Sequence, residues 1–135
     1  MVSTEKLKKR NGAMGTAGKT ILIIEDDLDV LSAFVKHFKY LGYDVIIATD
    51  GMDGLKKIDA GGYDLVITDI VMPFVSGVGV VTTLKEKRPE IPVIAITGYG
   101  KEPEAAAMEK KADIVLPKPV KMAVLKEHVE KLLEK

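Results

Sequence analysis

The sequence predicts an α/β fold: a doubly wound sheet of five parallel strands with helices on both faces. Two observations predict it. Five short runs rich in β-branched residues are apolar at consecutive positions, as strands covered on both faces must be. Between them lie longer segments whose apolar residues recur every three or four positions, the period of a helix that buries one stripe. Regular alternation of the two, joined by right-handed crossovers, gives parallel layers.

Residues 1–18 carry Lys6, Lys8, Lys9 and Arg10 together with Gly12, Gly15 and Gly18, and have almost no apolar periodicity. They are expected to form a flexible extension to a domain spanning 19–135. The first strand is Ile21 to Ile24 and runs into Glu25-Asp26-Asp27. The first helix places Leu31, Phe34, Val35, Phe38 and Leu41 on one stripe, starts among acids that favour its N-terminal dipole, and stops at Gly42. Asp27 or Asp29 is its expected cap. Val45 to Ala48 form the second strand, and a short helix through Leu55 and Ile58 ends at Gly61-Gly62. The third strand, Leu65 to Thr68, reaches Asp69 before the chain turns at Met72-Pro73. A third helix runs to the Pro89/Pro92 break, and Val93 to Ile96 form a fourth strand closed by Thr97-Gly98. Pro103 and Ala105 to Ala107 support a fourth helix with no strong buried stripe. The fifth strand, Ile114 to Leu116, ends at Pro117-Lys118-Pro119, and the last helix carries Met122, Leu125, Val129, Leu132 and Leu133 on one face.

Composition narrows the function classes. The 135 residues are 47% hydrophobic, enough for one buried core. Lys plus Arg number 20 and Asp plus Glu 20, so no global field draws in nucleic acid, and no direct nucleic-acid contact is expected. Cysteine is absent, which excludes disulfides and thiolate metal sites. The longest apolar runs are far shorter than the roughly 20 residues that cross a bilayer. No apolar segment follows the N-terminal lysines as in a secretory signal. The expectation is a cytoplasmic protein without membrane insertion.

In a flavodoxin-like sheet of order 2-1-3-4-5, ligands bind beyond the carboxyl ends of the strands, at the crevice between strands one and three. The residues at those ends make chemical sense together: Glu25 and Asp26 from strand one, Asp69 from strand three, Thr97 from strand four and Lys118 from strand five. Three converging carboxylates need a cation, and an all-oxygen set suits a hard ion such as Mg²⁺, or Mn²⁺. Lysine and hydroxyl can then hold the oxygens of a phosphoryl group.

Residue by residue the chain resembles the response-regulator receiver family of two-component signalling. The resemblance rests on Glu25-Asp26-Asp27 after strand one, Asp69-Ile70-Val71-Met72-Pro73 with Gly77, Thr97-Gly98, and Lys118-Pro119, in that order, and covers about 20–133. It implies that Asp69 accepts a phosphoryl group from a phosphohistidine of a sensor histidine kinase or phosphotransfer protein. It further implies that Asp26, Asp69 and the Val71 backbone carbonyl ligate magnesium, that Glu25 acts directly or through water, and that Lys118 neutralises charge. Thr97 would bond the phosphoryl group and remodel the face of the fourth helix, fifth strand and fifth helix, through which a downstream protein target binds or a homodimer forms. The Lys118-Pro119 bond is expected to be cis, as in receivers. Such a protein is a regulatory phosphoacceptor in a phosphorelay rather than an enzyme.

Two departures stand out. Family members often have Tyr or Phe on the fifth strand as a rotamer switch, where this chain has Val115. The turn after Asp69 reads Phe74-Val75-Ser76-Gly77 where Met-Asp-Gly is common. Val71 and Tyr99, two residues beyond Asp69 and Thr97, flank the path of a hydrolytic water, and neither carries a carboxylate or amide to align it, so slow self-dephosphorylation is expected.

Other readings are weaker. Helix capping alone explains the acids but not Thr97 and Lys118. Gly12 to Thr20 resembles a phosphate loop, but Ala13 stands where its first glycine belongs and the segment precedes a strand. His37 and His128 lie off or beside apolar stripes and are expected to be surface or boundary residues. A haloacid-dehalogenase-like phosphohydrolase needs a second Asp two residues after the nucleophile, where Val71 stands. A receiver-like binding module that works without phosphorylation is the remaining alternative. The chain ends with its last helix, so a stand-alone receiver acting on another protein is expected.

Overall fold

The computed structural model describes residues 16, 18–98 and 111–134. In chain order these form β1 (Thr20–Ile24), α1 (Leu28–Tyr40), β2 (Asp44–Ala48), α2 (Gly51–Ala60), β3 (Leu65–Asp69), α3 (Gly77–Lys87), β4 (Val93–Thr97), β5 (Ile114–Pro117) and α4 (Met122–Leu133). All five strands pair in parallel in the order β2-β1-β3-β4-β5. The predicted fold class and strand order therefore hold. The fourth predicted helix falls outside the described residues, and α4 is the predicted last helix.

Consecutive apolar residues in β1 are explained by the two cores. Leu22 and Ile24 face a cluster with Ile58 of α2 and Val80, Val81 and Leu84 of α3. Ile21 and Ile23 face the opposite cluster, with Leu31, Phe34 and Phe38 of α1 and Leu125 and Val129 of α4. A central strand with only one apolar face would leave one of these helix pairs without a partner. All four of these apolar β1 side chains are fully buried.

Asp27 settles the cap of α1: its side chain accepts from the backbone N–H groups of Asp29 and Val30, at 3.0 and 3.2 Å. Asp50 does the same for α2 through Asp53 N–H at 2.7 Å. These caps start both helices immediately after the carboxyl ends of β1 and β2, so the helix N-termini open beside the crevice.

Two residues assigned by sequence to the extension are tied to the domain. Thr16 is buried with its hydroxyl 2.6 Å from that of Tyr43, and Gly18 N–H donates to Gly42 C=O. Lys19-Thr20 then enters β1 at the end of the sheet opposite the acidic residues. His37 and His128 are both half-buried, matching the boundary assignment.

Phe38 is fully buried and edge-packed on Tyr43 at 5.8 Å between ring centroids. Replacing it with Ala should cost about 3–5 kcal/mol in urea unfolding, whereas Val124→Ala, at an exposed position of α4, should stay within about 0.5 kcal/mol. A loss below about 1 kcal/mol for Phe38→Ala would show that α1 does not seat the sheet as described.

Candidate functional site

Chain order reverses between β1 and β3, which are neighbours in the sheet with Ile24 opposite Thr68. Their carboxyl ends therefore deliver Glu25 and Asp69 to one crevice. A carboxylate oxygen from each of Glu25, Asp26 and Asp69 can be chosen so that the three lie within 4.8 Å of one another. Glu25 and Asp69 are buried while Asp26 is exposed, so the cluster has a closed floor and one open side.

Lys118 completes it from the far end of the sheet. Its Nζ lies 3.1 Å from Asp69 Oδ2 and 3.4 Å from Glu25 Oε1. The placement follows from backbone geometry: Thr97 pairs with Pro117, and Lys118 N–H donates to the Thr97 carbonyl at 2.9 Å. The Lys118-Pro119 peptide is cis, as expected.

Electrostatics follow from burial and this one cation. Burial pushes the Glu25 carboxyl up to about 7, opposed by the Asp27 N–H it accepts; the charge of Asp69 raises it further and Lys118 works against it. Burial by itself lowers the Lys118 pKa, but the hydrogen bond to Asp69 and the charges of Asp69 and Glu25 outweigh it and hold the ammonium above its ordinary value. Among the described residues, three carboxylates against one ammonium leave the cluster short of positive charge. Glu25 Oε1 is buried and, beyond its ion pair, makes no hydrogen bond among the described residues. An all-carboxylate set with an unsatisfied buried oxygen fits a hard divalent cation.

Thr97 is buried at the end of β4, and among the described residues its hydroxyl makes one long 3.5 Å contact, to the Leu116 carbonyl, a bond that costs little to give up. Val71 is half exposed, and its N–H lies 3.4 Å from Asp69 Oδ1. Val115 is half-buried against the core shared with α2 and α3, opposite Ala95. Tyr99 lies outside the described residues. The crevice thus brings together Glu25, Asp26, Asp69 and Lys118, with Thr97 tied to the Lys118 backbone.

Two positioning roles were not read from sequence, where Gly77 stood only as a motif residue. Gly77 N–H donates to Ile70 C=O at 2.7 Å, and a Cβ on Gly77 would overlap the Asp69 carbonyl and the Ile70 Cα. Glycine there lets α3 start against the backbone of Asp69. The Asp27 N–H that holds Glu25 was also missed, although an acid two residues before a helix cap signals such a contact.

A family model of the response regulator receiver domain matches residues 21–130. The chain belongs to this family, whose members are regulatory phosphoacceptors of two-component signalling. It is 31% identical over 122 residues to the transcriptional regulatory protein PrrA of Mycobacterium tuberculosis, covering 90% of this chain and 52% of that protein. It thus spans about half the length of such curated relatives. A CheY-like receiver domain from Methanospirillum hungatei superposes with a TM-score of 0.82 at 29% identity, over 87% of this chain and 95% of that one. The response regulator TrrA of Thermotoga maritima, solved in complex with Mg²⁺-BeF, gives a TM-score of 0.75 at 33% identity, over 85% and 99%.

The raised Glu25 pKa has a definite sign in metal-free protein. Because the folded state holds this proton more tightly than the unfolded state, the group's contribution to stability is full below the ordinary pKa of 4.5 and is lost as pH rises through about 7. Chemical unfolding in EDTA should therefore weaken by roughly 1–3 kcal/mol between about pH 5 and 8 in wild type, relative to Glu25→Gln. Parallel pH profiles for the two proteins would contradict the burial argument.

Proposed function

We propose that Asp69 is the phosphoacceptor of a magnesium-dependent transfer from the phosphohistidine of a sensor kinase or phosphotransfer protein. The observation that carries this reading is the placement of Lys118 Nζ between Asp69 and Glu25 in a cluster of three carboxylates. A carboxylate oxygen of Asp69 attacks phosphorus, the P–N bond breaks, and the electron pair returns to the imidazole, leaving an acyl phosphate on Asp69. Lys118 holds the transferring oxygens as a point charge, and because the transition state is loose, positioning and neutralisation supply most of the acceleration.

Asp26, Asp69 and the backbone carbonyl of Val71 are the proposed ligands of Mg²⁺ or Mn²⁺, with Glu25 acting directly or through water. When bound, the ion supplies the positive charge that the cluster lacks. The Mg²⁺-BeF complex of TrrA supports this assignment. Thr97, weakly held among the described residues, turns to bond the new phosphoryl group and shifts the face that includes β5 and α4, where a protein target or a second copy binds. With Val115 on β5, that shift proceeds without the aromatic rotamer of other receivers. No described helix is long and apolar enough to cross a membrane, and we place the protein in the cytoplasm.

Incubation with phosphoramidate and Mg²⁺ should add one phosphoryl group to wild type by intact mass and none to Asp69→Asn. Lys118→Ala should slow labelling roughly a hundredfold. No adduct on wild type, or an equal adduct on both proteins, would refute the assignment. The first outcome would favour a binding module that works without phosphorylation.

Val71 is apolar and half exposed beside Asp69, so no side chain there aligns a hydrolytic water. The acyl phosphate should persist for many minutes in Mg²⁺ and shorten several-fold in Val71→Asn. A wild-type lifetime of seconds would overturn this expectation.

A further inference from the structure

The turn between β3 and α3 holds a side chain that neither core uses. Phe74 is 96% exposed and has φ of +67°, the left-handed region that bulky side chains avoid. Val75 N–H donates to the Pro73 carbonyl at 2.9 Å, so Phe74 is the centre of a γ-turn of positive φ, a rare and strained form. The strain is held from outside: a Cβ on Gly51, at the start of α2, would overlap the Val75 carbonyl, and Gly77 closes on the Asp69 backbone. An aromatic residue in strained backbone with its ring in water stabilises nothing in the isolated domain.

We propose that Phe74 is the anchor on which a phosphohistidine-bearing protein docks over Asp69, an assignment that rests on the phosphoacceptor reading. Asp69 is only 4% exposed, so a donor imidazole must descend into the crevice, and the protein carrying it must cross the crevice rim. Phe74 stands in the turn that leaves the carboxyl end of β3, five residues after Asp69, and that turn is fastened back by the Gly77–Ile70 hydrogen bond. Val71 and Leu28, 51% and 66% exposed, lie at the same end of the sheet, after β3 and β1. Exposed apolar side chains at the end of the sheet that carries the charged site exclude water once a partner covers them, and an aromatic ring is a usual residue type of a binding hot spot. A small phosphodonor enters without touching it.

The test uses the full chain and a panel of purified sensor-kinase cytoplasmic cores autophosphorylated on histidine with radiolabelled ATP, taking the core that labels wild type fastest. Phe74→Gly should lower kcat/KM for that donor at least about tenfold, mainly through KM, while phosphoramidate labelling stays within about twofold. Glycine accepts positive φ, so the variant should melt at or above the wild-type temperature, which separates lost docking from lost folding. Phe74→Trp should retain transfer. Wild-type transfer rates in Phe74→Gly would overturn the proposal, as would an equal loss of phosphoramidate labelling. A wild-type dimer in sedimentation that Phe74→Gly dissociates would also overturn it, because the ring would then serve a second copy. Failure of wild type to label with phosphoramidate strikes the acceptor reading itself, and this proposal with it.

Discussion

Two buried carboxylates of like charge, Glu25 and Asp69, share the crevice between β1 and β3 with one ammonium between them. Like charges in a site of low polarity repel strongly, and this arrangement persists only because the sheet forces it. The cores on both faces fix β1 beside β3, and the pairing of Thr97 with Pro117 fixes the start of the Lys118 segment. The stability of the apolar sheet thus holds an electrostatic deficit at its carboxyl edge. That deficit is what the proposed cation would relieve, ahead of the proposed phosphoryl transfer.

The same constraint orders the surroundings. Asp27 caps α1 with its side chain while its N–H holds Glu25, so one residue starts a helix and orients a buried acid. Gly77 permits α3 to begin against the Asp69 backbone, which leaves the β3–α3 turn tight and its Phe74 outward. Thr97 and Lys118 are joined through one backbone hydrogen bond, so a change at the hydroxyl and a change at the ammonium are felt by the same two strand ends.

Much of this was legible in the sequence because parallel strands buried on both faces carry unbroken apolar runs, and three of the five runs here are followed directly by a candidate site residue. Ile21 to Ile24 leads to Glu25, Leu65 to Thr68 leads to Asp69, and Val93 to Ile96 leads to Thr97. What escaped reading depends on tertiary contact or on backbone angles without a local marker. Thr16 sits in a glycine-rich segment with no period, and only the distant Tyr43 hydroxyl explains its burial. Phe74 adopts positive φ with neither Gly nor Asn to announce it, because the turn is imposed by its neighbours. The raised pKa of Glu25 is likewise a property of depth, which separates it from the exposed Asp26 next to it.

The charge deficit at the carboxyl edge is tested most directly by the linkage between Mg²⁺ and folding. Measured at neutral pH in EDTA and across a Mg²⁺ titration, wild-type unfolding free energy should rise with the logarithm of ion concentration once the site saturates. Asp69→Asn and Asp26→Asn should each flatten that rise. A wild-type unfolding midpoint that does not respond to Mg²⁺, or that responds equally in both variants, would contradict the reading of Glu25, Asp26 and Asp69 as a site built to be completed by a cation.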